Sequence, residues 1–161
     1  PALGVLLMED MGDELLQTRL LAQPDERMAW LEEATRLLAR LHGSTFPVPA
    51  ELPVASRAFD AQKYFEEFSF TFEHLNQGFL KLPPLEPGIV KLTQVFCAKL
   101  EEIRPLVFCH RDYHTRNLLV HEERLRLIDF QDARLGPVEY DLASLFFDAY
   151  VPIAEDRKSV V

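Results

Sequence analysis

The chain has 161 residues, 48% of them hydrophobic, and a formal net charge of -9, which describes an ordinary soluble protein long enough for one domain with a real core. The negative charge argues against a nucleic-acid partner, because such surfaces need clustered Lys and Arg to displace counterions from phosphates. The longest apolar stretches, such as Leu142 to Phe147, fall far short of the roughly 20 residues of a membrane span, so no membrane partner is expected either.

Pro1 to Met8 reads as a short apolar strand without the basic flank of a signal peptide, so the N-terminus is expected to be internal to a longer protein. Glu9 to Asp13 breaks that strand into a linker. From Pro24 the pattern is helical: Pro at the first turn, Asp25 and Glu26 at the dipole-favoured end, then Trp30, Leu31, Ala34, Leu37, Leu38 and Leu41 on one face, ending near Gly43. Phe46 to Pro53 carries three prolines and is a loop. Phe59 to Phe79 holds aromatic residues at too many positions for one narrow stripe, which predicts a helix buried on more than one side. Ile89, Leu92, Val95, Phe96, Leu100 and Ile103 follow another helical face up to Pro105. Leu106 to Cys109 opens a strand-rich stretch. Leu118 to His121 and Leu125 to Ile128 are strand-like runs joined by polar residues, hence a hairpin. Val138 to Tyr150 returns to helix. Cys97 and Cys109 fall on a helix and a strand with no disulfide or metal-knuckle spacing, which fits a reducing cytoplasm.

The chemistry concentrates in His110-Arg-Asp-Tyr-His-Thr-Arg-Asn117, which lies between two apolar runs and is followed by the hairpin and Ile128-Asp129-Phe130. Phosphoryl transfer from ATP needs little covalent help; the work is positioning an acceptor hydroxyl and neutralising phosphate charge with Mg2+. An Asp followed five positions later by Asn offers a base and an amide oxygen for the metal, and an Asp at the hairpin exit returns to that metal. Asp112 is therefore the candidate base, and Asn117 and Asp129 are the candidate metal ligands. A competing reading takes His110, Asp112 and His114 as Zn2+ ligands on one face of an extended strand, with Asp129, which would make a metal-dependent hydrolase. It leaves Asn117 and the hairpin without a reason.

These residues resemble the kinase-like superfamily of aminoglycoside and choline phosphotransferases, and more closely its bacterial branch of amino-sugar kinases acting on N-acetylmuramate and N-acetylglucosamine. Leu6 to Asp13 looks like the last N-lobe strand and hinge, and Leu127 to Ser144 looks like the metal loop and following helix of that branch. The resemblance implies an α/β (α+β) C-terminal lobe, mostly helical, with a small hairpin sheet carrying the active site. It implies an N-lobe strand and hinge at residues 1–10, a catalytic lobe at 11–161, and an N-lobe of the same parent protein as partner, without which the chain would turn over ATP poorly. ATP and Mg2+ are the implied cofactors. Backbone groups at Glu9 and Asp10 would meet adenine, with Leu119 and Ile128 against its ring; His114, Arg116 and Asp132 would contact substrate or phosphate; His110 and Asp141 would support the catalytic loop. His114 stands where protein kinases usually carry Lys, and about a dozen residues separate Asp129 from the helix containing Asp141, too few for a peptide-binding activation segment. The acceptor is thus expected to be a small molecule: an amino sugar, or alternatively an aminoglycoside or choline, with a non-catalytic fragment as the remaining reading.

Overall fold

The computed structural model describes residues 9–151, and the strand expected at Pro1 to Met8 lies outside them. The described chain enters through helix α1 (Leu16–Ala22), which buries Leu16 and Leu20, four residues apart on one face. Seven residues carry too little periodicity to announce a helix, and this one is held from outside: Gln17 N–H donates to the Thr115 carbonyl at 3.1 Å, and Leu15 bridges Leu119. Helix α2 (Arg27–Thr45) buries Trp30, Leu31, Ala34, Leu38 and His42, the expected stripe. That face meets Tyr113, Leu118, Val120, Leu125 and Leu145 in the main core.

Helix α3 (Ala61–Thr71) starts at Asp60, whose carboxylate accepts from Lys63 N–H at 2.7 Å, a cap that satisfies one orphan donor of the first turn. The single multiply buried helix expected over Phe59 to Phe79 is not what forms. Helix α3 stops at Thr71, a π-helical segment runs through Phe72–Phe79, and α3 buries Tyr64, while Phe70 and Phe79 are 65% and 77% exposed. The reason is geometric: helix α4 (Pro87–Glu101) packs along α3, and aromatic residues spread around a helix cannot all face one neighbour. Helix α4 shows the same effect, burying Cys97 and leaving the expected stripe of Ile89, Leu92, Val95 and Phe96 exposed. Phe59, Tyr64 and Cys97 form a second, smaller core with Phe68, Leu100 and Tyr140 against it.

Strands β1 (Leu106–Cys109), β2 (Leu118–His121), β3 (Arg124–Leu127) and β4 (Arg134–Pro137) make two antiparallel pairs, β2 with β3 and β1 with β4. The first is the expected hairpin, with Leu118 opposite Leu127 and His121 opposite Arg124. Glu122 and Glu123 turn it with φ of 50° and 53°, the two positive values a tight hairpin turn of right-handed twist requires. The β1–β4 pair was not expected. It closes on Gly136, where a Cβ would stand 2.9 Å from both Cys109 Sγ and Phe59 Cδ2, so only glycine lets strand and aromatic ring approach this closely. Helix α5 (Glu139–Phe146) is shorter than the expected Val138 to Tyr150, because Asp148 leaves the helix to bind Thr115. The result is the expected mostly helical α+β lobe with small antiparallel sheets. No helix among the described residues is long and apolar enough to cross a membrane.

Candidate active site

The loop from His110 to Asn117 is held by groups on α2 and α5 and in the segments that follow β3 and α5. Asp141 of α5 is fully buried and accepts from His110 N–H at 2.7 Å and Arg111 N–H at 2.9 Å. Burial pushes its carboxyl up from the ordinary Asp value, and those two donors pull the other way. His110, also fully buried, sets a ring nitrogen 2.8 Å from the Ile128 carbonyl. Tyr113 O–H donates to the Ala34 carbonyl of α2 at 2.7 Å. Thr115 donates from both N–H and Oγ1 to Asp148 Oδ2 at 2.7 Å. His110, Arg111, Tyr113 and Thr115 are thus anchored inward, and Asp112, exposed between two of them, faces out.

Asn117 and Asp129 are brought together by the hairpin. Ile128 N–H donates to the Asn117 carbonyl at 3.1 Å, so the residues at entry and exit are paired across the ladder. Asn117 Nδ2 donates to the Asp112 carbonyl at 2.9 Å. With its nitrogen committed, Oδ1 is the end of the amide left for a cation. Asp129 sits at φ 69°, a left-handed geometry that redirects the chain and leaves its carboxylate exposed. One amide oxygen and one carboxylate are hard donors, and they fit Mg2+, which takes few protein ligands and completes its shell with water and phosphate oxygens.

Two cavities meet this loop. A cleft of about 860 Å³ is lined by Glu9 to Gly12 on one side and by Asn117, Leu119 and residues 127–131 on the other. Gly12 turns at φ 73° with its N–H on Asp10 Oδ1 at 2.9 Å. A second cavity of about 460 Å³ has Asp112 and Arg111 on one wall and Lys63, Glu66, Glu67, Phe70 and Thr71 of α3 with Tyr140 on the other. Burial disfavours the Arg111 guanidinium charge, yet Glu67 and its other neighbours outweigh that and hold its pKa up.

A family profile described as the phosphotransferase enzyme family matches residues 2–158. The chain belongs to that family. It is 30% identical over 174 aligned positions, 99% of this chain and 46% of the other, to an N-acetylmuramate/N-acetylglucosamine kinase of Caulobacter vibrioides. It is likewise 30% identical to a Neisseria meningitidis protein of the same name, over 96% of this chain and 46% of that one. A segment of 54 residues is 50% identical to the Pseudomonas aeruginosa protein of that name, covering 34% of this chain and 16% of the relative. The chain spans about half the length of the curated relatives it matches.

Within this family member, the residues singled out from sequence take up several distinct places. Glu9, Asp10, Asn117, Leu119, Ile128 and Asp129 line one cleft, and Asp112 lines the neighbouring cavity. Asp141 lies beneath the loop, and His110, the loop's first residue, turns its ring inward toward the Ile128 carbonyl. His114 and Arg116 are gathered instead around Tyr150, with the His114 ring 5.3 Å and the Arg116 guanidinium 4.7 Å from the Tyr150 ring, and neither lines either cavity. Asp132 meets the site through its carbonyl, 3.5 Å from Arg111 Nη1. The geometry a zinc site would need is missing: residues 110–114 follow the end of β1 rather than forming a strand, and His110 turns into the core while His114 turns to Tyr150. Lys63, Glu66, Glu67 and Tyr140 were not singled out. Their only sequence signal is a charged face at positions 63, 66 and 67 of α3, and nothing local connects it to Asp112.

Proposed function

We propose that this chain is the catalytic lobe of an ATP-dependent kinase that phosphorylates a hydroxyl of a small molecule, an amino sugar of the N-acetylmuramate/N-acetylglucosamine type. The observation that carries the reading is one anchored loop bordering two cavities, with Asn117 and Asp129 at the larger cleft and Asp112 at the smaller cavity. Asp112 takes the proton of the acceptor hydroxyl as it attacks, and the buried bonds on either side hold its carboxylate in line. Asn117 and Asp129 hold Mg2+, which when bound offsets the charge of the phosphates. The main chain at Glu9 and Asp10 meets the adenine edge, and Leu119 and Ile128 supply apolar surface for the ring. The phosphates are also gripped by an N-terminal lobe of the same protein.

The acceptor cavity bears on substrate class. Two of its three carboxylate charges, from Glu66, Glu67 and Asp112, are offset by Lys63 and Arg111, so it is not the cluster of uncompensated acids that a cationic drug or choline would favour. The name of the relatives, N-acetylmuramate/N-acetylglucosamine kinase, supports the same amino sugars. The test is ATP consumption by the full-length gene product with N-acetylmuramate, N-acetylglucosamine, choline and kanamycin. Turnover of the two sugars is expected; turnover of only the other two overturns the substrate reading. In the same assay Asp112→Asn should lower kcat by roughly 100- to 10,000-fold with little change in the KM for ATP, because a base acts as the transition state forms. Near-normal activity in Asp112→Asn would remove it as the base.

A further inference from the structure

Arg111 makes contacts that the chemistry above does not use, and they lead to a single side chain of α3. It stands immediately before Asp112 with φ of 78°, a left-handed conformation that a non-glycine residue keeps only where its surroundings over-determine it. Its N–H is fixed by Asp141. Its guanidinium is fixed from another direction: Nη2 donates to Glu67 Oε1 at 3.0 Å, and the group lies 5.8 Å from the centroid of the Phe59 ring. Glu67 is itself oriented by Tyr140, whose O–H donates to Oε2 at 3.1 Å. Lys63, one turn earlier, is a more distant partner at 4.0 Å. A continuous chain of bonds therefore runs from α5 through α3 to the residue that precedes the base.

The peptide joining Arg111 to Asp112 is planar, so any rotation at Arg111 redirects Asp112. Asp141 resists that rotation at the backbone, and Glu67 resists it at the far end of the side chain. The two carboxylates differ in access. Asp141 is fully buried, whereas Glu67 lines the same cavity as Asp112 and is within reach of whatever occupies it.

We propose that Glu67 is a positioning residue which, acting through Arg111, keeps Asp112 aimed at the acceptor hydroxyl. The proposal rests on the kinase reading given above. A base held out of line is felt in the transition state and not in nucleotide binding, so the loss belongs in kcat.

In the full-length gene product, Glu67→Gln should lower kcat by roughly 10- to 100-fold with the KM for ATP within about 2-fold. Glu67→Asp, which keeps the charge, should recover part of the loss. Because the effect passes through Arg111, adding Glu67→Gln to Arg111→Ala should cost nothing further. Losses that add in the double variant, or a raised KM for acceptor at full kcat, would overturn the role and leave Glu67 a substrate contact. Hydrogen exchange over residues 110–112 reads the same link without turnover. Faster exchange there in Glu67→Gln, with α2 unchanged, supports it; unchanged exchange overturns it. A wild-type protein inert toward all four acceptors would count against the kinase reading, and the exchange measurement would still decide the part played by Glu67.

Discussion

The loop at 110–117 and helix α3 border the same cavity, yet the loop and the helical stretch that runs from α3 through Phe79 are built differently. The loop has no regular structure and is held by buried polar bonds: His110, Tyr113 and Thr115 are fully buried, and each is tied to a group distant in sequence. The helical stretch is regular and satisfies its own backbone, and it leaves Phe70, Leu75 and Phe79 exposed. Chemistry needs a carboxylate fixed to a fraction of an ångström, which over-determined buried bonds supply. Glu67 apart, the helical wall only bounds the neighbouring cavity; it does not need that, and a surface helix can provide it.

Substitutions can break this contrast. The largest stability effect is expected at Asp148, whose carboxylate accepts from Thr115 N–H and Oγ1 and from Tyr150 N–H. Asp148→Ala strands buried donors of a fully buried threonine and should cost about 3 kcal/mol in chemical denaturation. A loss below about 1 kcal/mol would mean that the loop is held by its ladder neighbours instead.

A smaller, pH-dependent effect is expected beneath the loop at His42. Burial holds its imidazole below the ordinary 6.5, while Asp141, 4.0 Å away, pulls it up. A histidine with a depressed folded value is neutral in the fold. Its stabilisation is complete above 6.5 and is lost as the pH falls below that through the folded value. The unfolding free energy of the wild type should therefore fall relative to His42→Asn between about pH 7 and about pH 5. Parallel curves for the two proteins would show that His42 does not titrate differently in the fold.

The smallest effect is expected on the helical side. Phe79→Ser removes a ring that is 77% exposed and should change stability by no more than about 0.5 kcal/mol. If it cost as much as Asp148→Ala, the helical stretch would depend on its buried contacts as the loop does, and the contrast would collapse.

Local chemistry made much of the site legible. Asp112 and Asn117 lie five apart on one loop, and a hairpin with a two-residue turn returns Asp129 to Asn117, so sequence spacing alone brings the three into one neighbourhood. Helix α2 was equally legible, because its stripe is long and packs on one side. Spacing failed where a pattern had no neighbour to meet. The aromatic residues of 59–79 and the stripe of α4 read as buried, but each helix has one packed face and the surplus stays in water. It failed again at His114 and Arg116, which adjoin Asp112 in sequence and are gathered around Tyr150 instead.

By itself the sequence determined the mostly helical lobe, the hairpin and the closeness of Asp112, Asn117 and Asp129, since each depends on residues close along the chain. Tertiary structure alone decided the pairing of β1 with β4 around Gly136, the anchoring of α1, and the meeting of Glu67, Arg111 and Tyr140 beside Asp112. Those contacts join residues dozens of positions apart. No local propensity or periodicity encodes them, because they form only when α3, the loop at 110–117 and α5 are packed against one another.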